Sequence, residues 1–265
     1  MQQMPADAHL GLSSDDGWAA PGFAALVTHF GKLPAVLDCL APTRRWHSYG
    51  TCTGEADTAN GECRIEQQRV GQQPVDVIDM TPAAVARLLA ARMLARNLSA
   101  RCAVVGVNHG PNVGSTLLHS GTFGAALTLA WLGIPAVAIS LDDVYSVDEA
   151  NPGPLQFDAA AVIAGYAVEW MLQGFAGVCN INVPNNIRST AMQIRAASIA
   201  GDAVVHRLPA DQQILRDGDV TVSVLLPRSL QISCEHSLAA VSYMQRAAAR
   251  DAAVADHHQL DYRWN

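Results

Sequence analysis

Lysine is almost missing from this chain of 265 residues: Lys32 is the only one, and arginine carries nearly all of the positive charge. Charged residues make up only 15% of the sequence, with a net charge of −7 and a pI near 5.6. No Lys/Arg block interleaves with aromatics. This excludes a nucleic-acid polymer as partner, but not a mononucleotide or other small phosphate ester, which needs only a local positive site. The six cysteines, Cys39, Cys52, Cys63, Cys102, Cys179 and Cys234, show no C-x-x-C spacing. In a chain of this size they read as buried or free thiols of a reducing, cytoplasmic compartment, not as a zinc site. Residues 1–9 lack the basic-then-apolar pattern of a secretory signal. Residues 122–141 carry no charge and are long enough to raise a membrane span. Gly133-Ile134-Pro135 cuts that run into a helix and a β-branched strand, as a buried α/β core requires, so no membrane partner is expected.

Half of the residues are hydrophobic, enough for one large core or for a main domain with a smaller appendage. A short apolar strand is expected at 9–12. Pro21 and Gly22 then open a helix in which Phe23, Leu26, Val27 and Phe30 recur at i, i+3, i+4 and i+7. Further strands are expected at 36–40, 75–78, 103–107, 136–141 and 178–183, and residues 43–62 read as a long polar loop. A helix capped by Asp79 or Thr81 carries Val85, Leu88, Leu89 and Met93 on one side. Another runs over about 122–132, and another is marked by Ile163, Tyr166, Ala167, Trp170 and Met171. This alternation predicts an α/β fold with a mainly parallel sheet and helices on both faces. After Pro184 the pattern changes to strands at 204–208 and 220–226, a helix at 236–250 and a loose tail from Asp256. A boundary near residue 185 separates a catalytic domain (1–185) from a small C-terminal extension (186–265), whose Tyr262 and Trp264 hint at a subunit contact.

Two segments carry chemistry. Asp15-Asp16-Gly17 follows the first strand. Adjacent carboxylates repel, and a hard divalent cation such as Mg²⁺ or Mn²⁺ is the simplest partner that makes the pair worth keeping, although Asp-Asp-Gly is also an ordinary turn sequence. The second segment runs Gly106-Val107-Asn108-His109-Gly110-Pro111-Asn112-Val113-Gly114 and then Ser120-Gly121-Thr122-Phe123-Gly124. Strand, glycine-rich loop and helix start is the geometry of a phosphate cradle, because the first N–H groups of a helix lack internal partners and its dipole favours an anion. Ser120 and Thr122 add hydroxyl donors, Gly121 permits close backbone approach, and Asn108 offers an amide oxygen to a metal. The plainer reading of Ser120 is a helix N-cap. Asp15-Asp16 and Asn108 both follow expected strands, which places them at one edge of an open α/β sheet.

The ordered blocks resemble the SurE family of metal-dependent survival-protein nucleotidases. Residues 14–22, S-D-D-G-W-A-A-P-G, resemble that family's N-D-D-G-x-x-A-P-G. Residues 106–114 and 120–126 resemble its S-G-I-N-x-G-x-N-x-G and S-G-T-x-x-A-A segments, and residues 132–141 and 180–184 resemble two more. The resemblance implies a Rossmann-like three-layer α/β/α sandwich, a divalent metal (Mg²⁺ or Mn²⁺) and hydrolysis of phosphate monoesters, commonly nucleoside 5′- or 3′-monophosphates. Carried over by position, the metal ligands are Asp15, Asp16 and Asn108. The family's serine after Ala-Pro-Asp-Arg falls on His47 by strict counting and on Ser48 with a one-residue insertion; oxygen preference favours Ser48. Asn112, Ser120, Gly121 and Thr122 would bind the remaining phosphoryl oxygens; His109 or His119 could protonate the leaving alkoxide, but the favoured reading of each is a loop or wall residue.

Departures from the pattern are Ser14 for the family's Asn, Ala84 for an acid, and a stretch from 184 to 220 too short for the family's hairpin arm. They leave the metal and phosphate chemistry standing and point to an unusual substrate or assembly, with a homodimer or homotetramer expected. The competing readings are a scaffold that binds phosphate or nucleotide without turnover, and a hydrolase or transferase acting on another small molecule.

Overall fold

The computed structural model describes residues 4–5, 7–46, 48–53, 64–96, 98, 100–146, 153–185, 193–198, 209–226 and 231–257. The chain runs β1 (His9–Ser13), α1 (Pro21–Phe30), β2 (Val36–Pro42), β3 (Glu66–Val70), β4 (Gln73–Ile78), α2 (Pro82–Ala95), β5 (Arg101–His109), α3 (Gly121–Trp131), β6 (Ala136–Asp142), α4 (Phe157–Met171) and β7 (Val178–Pro184). It continues through β8 (Ile194–Ala196), α5 (Asp211–Arg216), β9 (Val220–Leu226), β10 (Gln231–Ile232) and α6 (Cys234–His257). The strands form one sheet in the order β10-β9-β7-β6-β5-β1-β2-β4-β3, with β8 beside β9.

The six strands from β7 to β4 in that order are mutually parallel. Parallel neighbours need crossover connections, which are α1 between β1 and β2, α3 between β5 and β6, and α4 between β6 and β7, while β2 reaches β4 through β3. Their strands are buried on both faces, as the near-continuous apolar runs in β5, β6 and β7 require. One side of the sheet carries α1, α4 and α6, with Phe23, Leu26, Phe30, Ala164, Val168 and Met244 in a common core. The other carries α2 and α3, joined through Leu89, Met93, Phe123 and Leu129. This is the three-layer α/β/α architecture. The uncharged run 122–141 becomes most of α3 and β6, and no described helix is long and apolar enough to cross a membrane.

Several local expectations change. The strand at 75–78 has an antiparallel partner, β3, whose exposed Glu/Gln/Arg sequence carries no apolar alternation. The short β8, β10 and α5 also lacked a periodic signal. Thr81 occupies the N-cap position of α2 without capping it; its hydroxyl donates to the Cys52 carbonyl at 2.6 Å. Asp256 and His257 are helical, because α6 runs further than expected. The strand proposed at 204–208, and Tyr262 and Trp264, lie outside the described residues. Past Pro184 the chain stays on the same sheet: β9 pairs antiparallel with β7, and α6 packs on α4.

β1 sits between β2, reached directly through α1, and β5. The chain therefore leaves β1 towards one side and later returns on the other. At such a switch point, beyond the carboxyl ends of the strands, open α/β sheets form their ligand crevice.

Candidate active site

Asp15 and Asp16 leave the carboxyl end of β1. Asp15 is buried, and its Oδ1 accepts a hydrogen bond from the Thr122 hydroxyl at the start of α3. Gly121 lies against the same carboxylate: a Cβ built there would stand 2.8 Å from Asp15 Oδ2 and 2.9 Å from Asp15 Cβ, so only glycine fits. The Asp15 carbonyl accepts from the Trp46 N–H at 2.8 Å, which lays the loop after β2 across the pair.

Asp16 is held by different groups. Its Oδ2 accepts from the backbone N–H of His109 at 3.0 Å, and its Oδ1 from Arg45 Nε at 2.5 Å. The Ser14 hydroxyl accepts from the Asp16 N–H at 3.1 Å, and Gly17 follows at φ +90°. The bond and the positive φ are those of a turn, as the Asp-Asp-Gly sequence allows.

Asn108 and His109 belong to the end of β5, whose pairing with β6 shifts register between Val105 and Asn108. Asn108 Nδ2 donates to the Gly110 carbonyl at 2.6 Å. A carbonyl can only accept, so this bond assigns the amide nitrogen and leaves Oδ1 as an oxygen available to a cation. The His109 ring pairs through Nε2 with Asp143 Oδ2 at 2.7 Å and meets Phe157 edge-on, with ring centroids 6.0 Å apart. The loop bearing Asp143 is tied by Asp142, whose carboxylate accepts from the N–H groups of Val144, Tyr145 and Ser146.

Asn112 is buried and held from β6 and β7. Its N–H donates to Asn182 Oδ1 at 2.7 Å, its carbonyl accepts from Asn182 Nδ2 and Asn180 Nδ2 at 3.1 Å each, and its own Nδ2 donates to Ser140 Oγ at 2.8 Å. Ser120 is the N-cap of α3, its hydroxyl oxygen accepting from the Phe123 N–H at 3.0 Å. That bond uses the oxygen and leaves the hydroxyl proton to donate to a ligand. Ser48 is exposed at φ +58°, between Trp46 on Asp15 and Gly50, whose N–H donates to the His119 carbonyl at 3.1 Å. His47 lies outside the described residues.

The donor set suits a hard divalent cation. Its atoms are carboxylate and amide oxygens, and the Asp15 carboxyl is pushed up to about 7, chiefly by burial and against the Thr122 hydrogen bond, with Asp16 adding to the rise. A group so disfavoured as an anion gains most from an adjacent cation.

Comparison with known proteins decides the family. Residues 11–206 match the family described as "Survival protein SurE". The chain belongs to the SurE family. Among SurE relatives, the 5′-nucleotidase SurE of Methylococcus capsulatus is 32% identical over 180 residues, covering 67% of this chain and 64% of that protein. The 5′-nucleotidase SurE of Syntrophotalea carbinolica is 31% identical over 74% of each chain. The 5′/3′-nucleotidase SurE of Edwardsiella ictaluri is 29% identical over 66% of this chain and 62% of its own. The crystal structure of the SurE protein from Aquifex aeolicus superposes with a TM-score of 0.61 at 18% identity, over 89% of this chain and 99% of that one, and shares the fold.

The SurE blocks therefore converge in space. The first places Asp15 and Asp16, the second supplies the N–H that holds Asp16, the third supplies Thr122 and Gly121 against Asp15, and Asn180 and Asn182 of the last fix Asn112. Motif reading missed Arg45, Asp143, and Asp211, whose Oδ2 accepts from the Gly114 N–H at 2.9 Å. None of these has a local signal: each meets its partner across 29, 34 or 97 residues of sequence.

Proposed function

We propose that this SurE-family chain is a metal-dependent phosphomonoesterase that hydrolyses nucleoside monophosphates or related small phosphate esters. One observation carries the reading: the buried Asp15 is hydrogen-bonded to Thr122 at the first turn of α3, so the acidic pair stands directly beside the helix N-terminus able to receive a phosphate. The nucleotidase names of the relatives support the reaction class.

Asp15, Asp16, Asn108 and Ser48 would hold the cation, Mg²⁺ or Mn²⁺, with Ser48 preferred over His47 because the other donors are oxygens. When bound, it supplies Lewis-acid polarisation of the phosphoryl group and acidifies the attacking water. The chain's own groups do the rest. The N–H groups of the first α3 turn, beginning at Gly121, and the Ser120 hydroxyl bind phosphoryl oxygens as preorganised donors. Asn112 presents the second hydrogen of its amide, the first being held by Ser140. Thr122 acts through Asp15, fixing its carboxylate. His109, oriented by Asp143, stands at the rim to return a proton to the leaving alkoxide.

The proposal extends to a homodimer or homotetramer, expected as a single species of two or four chains in size-exclusion chromatography with light scattering. It also extends to a cytoplasmic setting, in keeping with the free thiols of Cys39, Cys52, Cys102, Cys179 and Cys234.

The decisive experiment compares phosphate release from AMP and p-nitrophenyl phosphate with Mg²⁺, with Mn²⁺ and with EDTA. Activity with metal only is expected. Asp15→Asn should lower kcat by at least about 10²-fold while circular dichroism stays native. Near-parental turnover in that variant refutes the assignment.

A further inference from the structure

The loop after β2 sends two adjacent arginines to different carboxylates. Arg44 Nε donates to Asp79 Oδ1 at 3.1 Å, and its guanidinium lies 4.3 Å from the centroid of the Trp46 ring. Arg45 Nε donates to Asp16 Oδ1 at 2.5 Å. The backbone on both sides of Arg45 is tied down: the Thr43 N–H donates to the Ile78 carbonyl at 3.1 Å and the Trp46 N–H to the Asp15 carbonyl at 2.8 Å. The Arg45 side chain is 45% exposed, whereas the Asp16 side chain it reaches is only 6% exposed. A half-solvated cation on a fixed backbone therefore covers an enclosed carboxylate. It can leave by rotating its own side chain, without loop movement.

Both Asp16 oxygens thus have partners in the protein, Arg45 Nε on Oδ1 and the His109 N–H on Oδ2. A divalent ion shared by Asp15 and Asp16 adds two positive charges beside a guanidinium that cannot shed its own by deprotonation. At separations of a few ångströms, like charges near a protein surface repel by several times thermal energy. The Arg45 backbone is tied to the α3 N-terminus, since the N–H of its neighbour Trp46 is bonded to Asp15, and Asp15 to Thr122. Guanidinium groups bind phosphate oxygens in a planar, often bidentate, fashion.

We propose that Arg45 and the divalent cation exclude one another at Asp16, and that the displaced Arg45 becomes a ligand of the substrate phosphoryl group. This rests on the metal-dependent reading above. Metal and phosphate then bind synergistically, and linkage makes the effect reciprocal. The pairing of Arg45 with Asp16 acts as a built-in competitor that weakens metal binding until a phosphate ester arrives.

The test is Mn²⁺ binding to the full chain, read as loss of the free-ion EPR signal, with and without inorganic phosphate, in the parent, Arg45→Gln, Arg45→Lys and Asp16→Asn. Arg45→Gln should bind Mn²⁺ roughly two- to fivefold more tightly without phosphate, the scale of a half-exposed ion pair. Phosphate should tighten Mn²⁺ binding more in the parent than in Arg45→Gln, with Arg45→Lys between them. In turnover, KM for the ester should rise several-fold in Arg45→Gln with kcat less affected. Equal or weaker Mn²⁺ affinity in Arg45→Gln, or an equal response to phosphate, overturns the inference about Arg45 alone. Unchanged Mn²⁺ affinity in Asp16→Asn removes the metal site itself, and the inference with it.

Discussion

At Gly121 the difference between a hydrogen and a methyl group decides where Asp15 stands. The α3 backbone approaches the carboxylate so closely that a Cβ there would come within 2.8 Å of Asp15 Oδ2. Gly121→Ala should therefore displace the carboxylate and lower kcat by roughly 10²-fold, as small misplacements of a catalytic group do. It should do so while the thermal melt remains cooperative. A steady-state assay paired with a melting curve checks this, and parental activity would show that the approach is not functional. The residue types Ser120, Gly121 and Thr122 were read from the sequence as the start of a helix after a glycine-rich loop, which they are. The Ser120 cap was also legible, but not that Thr122 holds Asp15, because that hydroxyl bonds a group the fold brings from 107 residues away.

On the level of elements, the site depends on a loop being laid over a helix end. Gly124, one turn into α3, faces Gly50 so tightly that a Cβ on Gly124 would fall 2.0 Å from the Gly50 carbonyl oxygen. The same loop bears Arg45, Trp46 and Ser48. Gly124→Ala should push it off α3, with an overpacking cost of about 1–3 kcal/mol. Activity should fall more than global stability does, measurable as kcat against the urea midpoint. β5, α3 and β6 were readable from apolar periodicity and helix-start chemistry. The polar β3 was not, since its Glu66-Gln67-Gln68-Arg69 run shows no alternation, and only pairing with β4 makes it a strand. Likewise the Asn180–Asn182 clamp on Asn112 joins β7 to a loop 70 positions away.

For the molecule as a whole, the core admits titratable groups at a cost. His29, in the last turn of α1, is partly buried, and its Nε2 is enclosed with no hydrogen-bond partner among the described residues. Desolvation, helped by the charge of Lys32, lowers its pKa to about 4 from an ordinary 6.5. Between these values the unfolded chain binds a proton that the folded one does not. The stability contributed by neutral His29 is therefore complete above about pH 6.5 and drains away as the pH falls towards 4. Relative to the parent, His29→Leu should lose about 2–3 kcal/mol of the drop in unfolding free energy between pH 7.5 and 4.5. Urea titrations at the two pH values measure it; an unchanged drop would show that His29 is not the proton-linked group.

By itself the sequence determined the alternation of strands and helices, the glycines and hydroxyls that start α3, and the acidic pair after β1. Each of these is written in local periodicity or in neighbouring residue types. Only the tertiary structure decided that Asp15 meets Thr122 across 107 residues, that Arg45 covers Asp16, that α5 holds Gly114 through Asp211, and that β9 holds Asn182 through Thr221. Contacts of that kind depend on strand order, which places β1 beside β5 and β7 beside β9. Strand order follows from packing the whole sheet, and no short stretch of chain encodes it.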